Sequence, residues 1–401
     1  MIPRRITIVG ASLAGLRAAE TLRDRGFDGA LTLVGDEPHR PYDRPPLSKQ
    51  VLQGTWEPEQ AFFRRKDGYD SLALDMRLGV RAASVDLRAR RVILADGTCS
   101  DYDRLIIATG ARVRTLPGIA PRPGLLVLRT LDDALVLREA VTCATRVAIV
   151  GAGFIGLEVA SSCHARGVPV TVIEALPIPL APILGPMLGG MVAAMHRDHG
   201  VDLRTGVTVT DVYGETRVAG IALSDGSRVE ADVVVVGIGV VPNTEWLDGS
   251  GLTLDNGIVC NGFGEAAPDV YAVGDVARVA NLWHGDAPRI EHWSNAVEQA
   301  VHAAEHLVAG PESGPGFSSV PYFWSDQYDR KIQFIGRARP HDEVLVVDGS
   351  LADRRLTALF RRGDRVVACL TVNHPRALSK YRKLLAGHAS WDTALSDILA
   401  P

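Results

Sequence analysis

The chain predicts an α/β fold of two Rossmann-like domains, one inserted in the other, followed by a C-terminal α+β domain. Three observations predict it. A strand, Gly-rich turn and helix occurs twice, about 140 positions apart; each copy is followed by a further apolar strand and tight turn; and from about Pro321 the pattern turns strand-rich without a glycine fingerprint.

The first unit reads Ile6-Thr7-Ile8-Val9, then Gly10-Ala11-Ser12-Leu13-Ala14-Gly15, then a helical run with Leu16, Ala19 and Leu22. The second reads Val147-Ala148-Ile149-Val150, then Gly151-Ala152-Gly153-Phe154-Ile155-Gly156, then a helix whose apolar face is predicted as Ile155, Val159 and Cys163. In such a unit the first glycine makes the tight turn, the second lets the backbone approach a pyrophosphate, and the third lets helix pack on strand. The helix N-terminus then offers its free N–H groups to the phosphates. Ser12 departs from the glycine pattern in the first copy, with a side chain small enough for a slightly different phosphate approach. After each unit a second strand is predicted to end at a carboxylate able to accept ribose hydroxyls: Leu31 to Val34 followed by Gly35-Asp36-Glu37, and Val170 to Ile173 followed by Glu174. Two dinucleotide sites in one polypeptide suggest a relay.

Between the units, Arg91 to Leu94 and a turn at Asp96-Gly97 precede a buried strand from Tyr102 that ends in Ala108-Thr109-Gly110. The matching element after the second unit is Ala231 to Val236, ending in Gly237-Ile238-Gly239. A later strand, Val270 to Val273, ends in Gly274-Asp275, where an aspartate can reach a ribityl hydroxyl. Residues 1 to 111 with 248 to 320 are expected to form the first nucleotide domain, 112 to 247 the second, and 321 to 401 the last.

Composition narrows the class. The 401 residues are 46% hydrophobic and 22% charged with net charge −4, a soluble-enzyme profile too mild in charge to imply nucleic acid. No apolar run approaches the roughly 18 residues of a membrane span. Arg17 and Glu20 interrupt the apolar N-terminal stretch that follows Arg4 and Arg5, and its glycines fall at dinucleotide-turn spacing, so it reads as mature, cytoplasmic protein. The five cysteines are widely separated, form no CxxC and match no metal-ligand or iron-sulfur spacing; free, mostly buried thiols are expected. No metal is expected, and a monomer is favoured.

The order of these elements, together with the loop Pro41-Tyr42-Asp43-Arg44-Pro45-Pro46-Leu47-Ser48-Lys49 and the segments Glu291-His292-Trp293-Ser294-Asn295-Ala296 and Tyr322-Phe323-Trp324-Ser325-Asp326-Gln327, resembles the FAD-dependent pyridine-nucleotide reductases. Within them it is similar to the oxygenase-coupled ferredoxin reductases, over essentially the whole chain. The resemblance implies a glutathione-reductase-like arrangement, with FAD at the first site, NADH at the second, and the nicotinamide meeting the flavin between domains. By position it implies that Asp36, or adjacent Glu37, holds the FAD adenosine ribose, that Arg44 and Lys49 contact the flavin side, that Arg129 adds a contact, and that Asp275 binds the ribityl chain. Gly10, Ser12, Ala14, Gly15, Thr109, Gly110, Gly274 and Trp293 complete the expected FAD set; Gly151, Gly153, Phe154, Ile155, Gly156, Glu174, Gly237, Ile238, Gly239 and Glu291 form the NADH set.

Cofactor preference has an independent argument. Glu174 accepts ribose hydroxyls but repels a 2′-phosphate, and no Arg or Lys follows before Arg197, which favours NADH. The segment Pro177 to Pro182, where relatives often carry an arginine, has none. Lys49 and Glu158 are expected to pair beside flavin N5, Glu158 lying on the first turn of its helix and the ammonium stabilising charge that arrives with hydride.

Disulfide reductases of this fold pass electrons to a cysteine pair just after the first nucleotide unit; here no cysteine precedes Cys99, so the electrons must leave for an external acceptor. The resemblance names a 2Fe-2S ferredoxin serving a haem-thiolate monooxygenase or Rieske oxygenase. From Val320 onward 13 Lys or Arg stand against 9 Asp or Glu, a basic excess suited to steering an acidic ferredoxin. Trp324 and Trp293 are the aromatic candidates near the flavin edge, Trp324 on the path to ferredoxin. Two alternatives rank behind: a flavoenzyme reducing a small molecule, oxygen or quinone, and an NADH-responsive interaction protein resembling apoptosis-inducing factor.

Overall fold

The computed structural model describes residues 3–63, 68–310 and 314–399. The chain divides into two compact units, one of residues 1–43, 62–112 and 241–321, the other of 44–61, 113–240 and 322–401.

The first unit is built on a six-stranded sheet in the order Glu265–Ala267, Val270–Ala272, Arg104–Ile107, Arg5–Val9, Ala30–Val34, Leu74–Arg77, parallel except for the first strand. The strand Arg5–Val9 is buried at every residue but the first because both of its faces are covered. Ile6 and Ile8 pack under the helices Leu13–Asp24 and Trp293–Ala309, whose Ala18, Ala19, Ala300 and Ala303 keep the two helices close. On the other face Val9 and Ile107 meet Val92 and Leu94 of a three-stranded antiparallel meander.

The second unit repeats the plan with a five-stranded parallel sheet, ordered Asp202–Thr205, Val170–Glu174, Val147–Val150, Val233–Val236, Leu125–Val127. In both sheets the strand before the Gly-rich turn lies between its own second strand and the later strand that ends in a tight turn. The duplication therefore extends to strand order. The helix Leu131–Cys143 opens with a capping box between Thr130 and Asp133. The helix Ala181–Asp198 is broken at Gly185, which adopts φ 75°, ψ 164° ahead of Pro186. Residues 322–401 add a five-stranded antiparallel sheet, ordered Tyr322–Gln327, Arg330–Gly336, Arg365–Val372, Arg355–Arg362, Glu343–Ser350, and the helices Pro375–Ala386 and Trp391–Leu399. No helix among the described residues is long and apolar enough to cross a membrane.

Two local expectations need correction. Ile155 does not belong to the buried face of the helix Phe154–Ala165: it is 50% exposed while Val159 and Cys163 are buried. It is the second residue of the helix, where side chains flank the Gly-rich turn rather than the sheet. Glu158 is the fifth residue, past the first turn, and its carboxylate serves no orphan N–H of the helix start.

Candidate active site

Both Gly-rich turns are set by backbone contact. Gly10 has φ +121°, and a Cβ there would lie 2.1 Å from the Ala108 carbonyl oxygen. Gly151 has φ +104°, and its Cβ would lie 2.4 Å from the Gly237 oxygen. At Gly15 and Gly156 a Cβ would fall 1.9 Å and 2.1 Å from the carbonyl oxygens of Gly10 and Gly151, so any side chain would separate helix from turn. These four glycines are fixed by the fold itself.

Gly153 differs. It adopts φ −72°, open to any residue, and a Cβ there would meet nothing within 4 Å. Among the described residues no group requires glycine at this position; a cradle that a side chain would fill is what a closely approaching pyrophosphate needs. In the first copy the same place is held by Ser12, the N-cap of Leu13–Asp24, extended at φ −117°, ψ −159° and making no side-chain cap bond. Its small hydroxyl leaves the helix N–H groups to a ligand and adds a donor of its own. Both sites thus fit a dinucleotide. Beside the first turn, Gly274 has φ +76° and its Cβ would lie 3.2 Å from that of Ala14, while its N–H donates to Gln299 Oε1 at 2.9 Å. The neighbouring Asp275 follows in a 3-10 turn, half-buried.

The carboxylates are not equivalent in the two copies. Gly10 N donates to Val34 O at 2.7 Å and Gly151 N to Ile173 O at 2.8 Å, which places Gly35, not Asp36, in the position of Glu174. The expectation that both second strands end at a carboxylate holds for Val170–Glu174 only; Ala30–Val34 ends before Asp36. A Cβ on Gly35 would lie 2.6 Å from that of Ala11, so the acid is displaced to exposed Asp36 and to Glu37, which accepts from the Tyr42 hydroxyl. Glu174 is held by the Ala152 N–H at 2.7 Å and the Leu176 N–H at 2.8 Å. A ribose 2′-phosphate brought to this carboxylate would meet like charge.

Other expected residues fall as follows. In the first unit, Thr109 Oγ donates to Asn243 O at 3.0 Å and Gly110 has φ 64°. Trp293 Nε1 donates to Asp43 at 2.8 Å, and Glu291 pairs with Arg289 at 2.6 Å. Glu291 therefore lies in the first unit, while the rest of the NADH set lies in the second. In the second unit, Arg44 donates to Arg129 O at 2.5 Å, which joins two of the FAD candidates. The Phe154 ring meets Phe323 edge-on at 4.8 Å, Ile238 and Gly239 follow Gly237 in the later turn, and Trp324 lies 6.0 Å from Tyr322 at 21°.

Lys49 and Glu158 come together in the second unit. Their Nζ and Oε2 are 2.7 Å apart, with the side chains 9% and 2% exposed. Lys49 sits where the short 3-10 turn Pro45–Ser48 gives way to the helix Gln50–Gln53, and Nζ also donates to Pro45 O at 3.1 Å. Ser48 Oγ donates to Glu158 Oε2 at 2.5 Å and Ser325 Oγ to Oε1 at 2.7 Å. Both serines lie in segments that carry the family resemblance, but nothing in their spacing links them to Glu158. An ammonium has three donors, and two are used by described protein groups, so one remains for a ligand.

Two phosphate cradles, a buried Lys–Glu pair and no thiol pair together describe a flavin-type pyridine-nucleotide reductase whose acceptor is not one of its own disulfides. The chain belongs to the pyridine nucleotide-disulphide oxidoreductase family, whose model matches residues 4–300, and residues 322–397 match the reductase C-terminal domain. Its cofactors are FAD and a reduced nicotinamide dinucleotide. Over 385 residues it is 39% identical to rhodocoxin reductase of Rhodococcus erythropolis, covering 95% of this chain and 89% of that protein. Over 389 residues it is 37% identical to the ferredoxin–NAD(+) reductase component of the anthranilate 1,2-dioxygenase system of Burkholderia cepacia, covering 96% and 95%. The fold matches the crystal structure of the covalent putidaredoxin reductase–putidaredoxin complex with a TM-score of 0.93 at 34% identity, over 99% of this chain and 98% of that one.

Proposed function

We propose that this chain is a cytoplasmic, FAD-dependent NADH:ferredoxin reductase that supplies electrons to an oxygenase through a 2Fe-2S ferredoxin. The observation that carries the reading is full-length membership of a reductase family by a chain with no cysteine before Cys99, which leaves the electrons no internal disulfide. FAD, when bound, supplies the conversion of one hydride from NADH into two single electrons. Residues 1 to 111 with 248 to 320 serve as the FAD domain, 112 to 247 as the NADH domain, and 321 to 401 as the ferredoxin-facing domain.

The chain's own groups bind and orient. Gly10, Ser12, Ala14, Gly15, Thr109, Gly110, Gly274 and Asp275 hold FAD with Asp36 or Glu37 at its adenosine ribose; Gly151, Gly153, Gly156 and Glu174 hold NADH. The remaining donor of Lys49 would serve bound flavin, where its positive charge would favour the arrival of negative charge. Glu158 keeps that ammonium in place.

For the ferredoxin, part of the basic excess is taken up within the unit. Arg330, Lys331, Arg354, Arg361 and Arg362 each pair with an acidic residue in their own unit. Arg339, Arg355 and Arg365, together with Arg376, Arg382 and Lys383 of the helix Pro375–Ala386, are exposed, and we assign steering to this set. The test is NADH-driven cytochrome c reduction with and without candidate 2Fe-2S ferredoxins at several salt concentrations. Ferredoxin-dependent rates that fall with ionic strength are expected; equal rates without any ferredoxin, with oxygen or a quinone as acceptor, would overturn the reading.

A further inference from the structure

We propose that Ser325 and Gln327 are positioning residues for the Lys49–Glu158 pair, acting through a one-directional chain of hydrogen bonds that ends at His196 and Tyr328. The direction follows from the donors and acceptors alone. The Glu158 carboxylate can only accept, and Oε1 lies 2.7 Å from Ser325 Oγ, so the serine hydroxyl donates to it. Having given its one proton, Ser325 Oγ must accept at its next contact, from Gln327 Nε2 at 3.0 Å. That fixes the amide, whose Oε1 faces His196 Nε2 at 2.9 Å and can only accept. His196 therefore carries its proton on Nε2, and its bare Nδ1 accepts from the Tyr328 hydroxyl at 2.9 Å. Burial, which holds His196 down to about 4, agrees with a neutral ring.

Placement argues that this is more than packing. Phe323, Ser325 and Gln327 share one face of the strand Tyr322–Gln327, and Phe323 meets the first residue of the helix that carries Glu158. A face turned onto a helix is ordinarily apolar, yet Ser325, Gln327 and His196 are each 0% exposed. Burying such groups is costly unless they are hydrogen-bonded, and here Ser325 Oγ, Gln327 Nε2 and Oε1 and both His196 ring nitrogens each have a partner. An amide passes a proton only through an unstable imidic form, so the chain orients Glu158 and does not conduct. With Oε1 pinned by Ser325, Oε2 stays on Lys49. A second latch works alongside: Ser162 Oγ donates to Ser48 O and Tyr328 N donates to Ser161 Oγ, both at 2.7 Å.

The catalytic consequence rests on the reading of Lys49 given above; the chain of hydrogen bonds does not. In the holoenzyme, 15N spectra of the histidine rings, assigned with His196→Asn, are expected to show His196 as the neutral Nε2–H tautomer at neutral pH; an Nδ1–H or charged pattern would overturn the chain. Ser325→Ala is expected to make the midpoint potential of bound FAD more negative and to slow hydride transfer from NADH about tenfold, the loss of one hydrogen bond to a charged group. Ser325→Thr restores both. Gln327→Met, which cannot donate to Ser325, shifts both in the same direction and serves if Ser325→Ala fails to load FAD. Unchanged potential and rate in these variants while Lys49→Met changes both would overturn the positioning role alone. If Lys49→Met also changes neither, the role given to Lys49 falls, and the positioning role with it.

Discussion

The Lys49 ammonium and the Glu158 carboxylate, 109 positions apart in sequence, meet at 2.7 Å with almost no exposure to solvent. Removing one partner strands the other. Lys49→Met is expected to lower the rate of flavin reduction by NADH on the order of 10²-fold and to cost about 3 to 5 kcal/mol of stability, because Glu158 is left buried and unpaired. The double variant Lys49→Met, Glu158→Gln should recover most of the stability and none of the rate. Stopped-flow reduction and urea unfolding of the same preparations separate the two effects.

The role proposed for Glu174 is to set the nucleotide. With its carboxylate fixed by the Ala152 and Leu176 amides, Glu174→Gln combined with Ala175→Arg should raise the NADPH to NADH ratio of kcat/KM on the order of 10²-fold, through removed repulsion and an added cation. Steady-state kinetics with both nucleotides measure it. An unchanged ratio would remove Glu174 from the site.

The glycines of the two turns should respond differently. Gly10→Ala forces a Cβ onto the Ala108 carbonyl at φ +121° and is expected to yield protein that does not retain FAD. Gly153→Ala meets open space at φ −72°, so the fold and FAD content should be normal while KM for NADH rises about tenfold, the cost of one methyl against a phosphate. Flavin absorbance and NADH titration distinguish the cases.

Acid stability carries a signature of two histidines. Burial lowers both His196 and His292 from 6.5 to about 4. Between those values the unfolded chain binds protons that the folded chain refuses, so stability is full above pH 6.5, falls as pH drops, and levels off below about 4. Each ring withdraws up to about 3 kcal/mol over that window. Urea unfolding at pH 7.5, 5.5 and 4.5 reads the slope, and His196→Gln should remove one share of it.

The thiols should be bystanders. Cys99 and Cys143 are exposed, whereas Cys163, Cys260 and Cys369 are buried, burial pushing the Cys163 and Cys260 thiols up to about 12. Alkylation of native protein is expected to label Cys99 and Cys143 alone and to leave electron transfer to ferredoxin unchanged. Loss of turnover in step with labelling would reinstate a thiol route.

What could be read from sequence was whatever is local or repeated. The glycines of both turns, the apolar strands on either side and the missing cysteine pair lie within short windows, and backbone sterics leave few alternatives at Gly10 or Gly151. Even Glu174 was legible, since the strand Val170–Glu174 carries it directly onto the turn of its own unit. The one-residue shift from Gly35 to Asp36 was not, because it depends on the Ala11 side chain of the Gly-rich turn packing against Gly35, a contact without sequence period. Only tertiary structure could bring Ser48, Glu158, Ser325, Gln327 and His196 into one hydrogen-bonded set, since they come from four separate segments. Polar residues on a strand face read as solvent-exposed until burial is known. Glycine spacing and cysteine placement alone are enough to define two dinucleotide cradles and to leave no internal thiol pair as acceptor. The tertiary structure decided how the charge between Lys49 and Glu158 is held, because a buried charge takes its orientation from every donor that surrounds it, however distant along the chain.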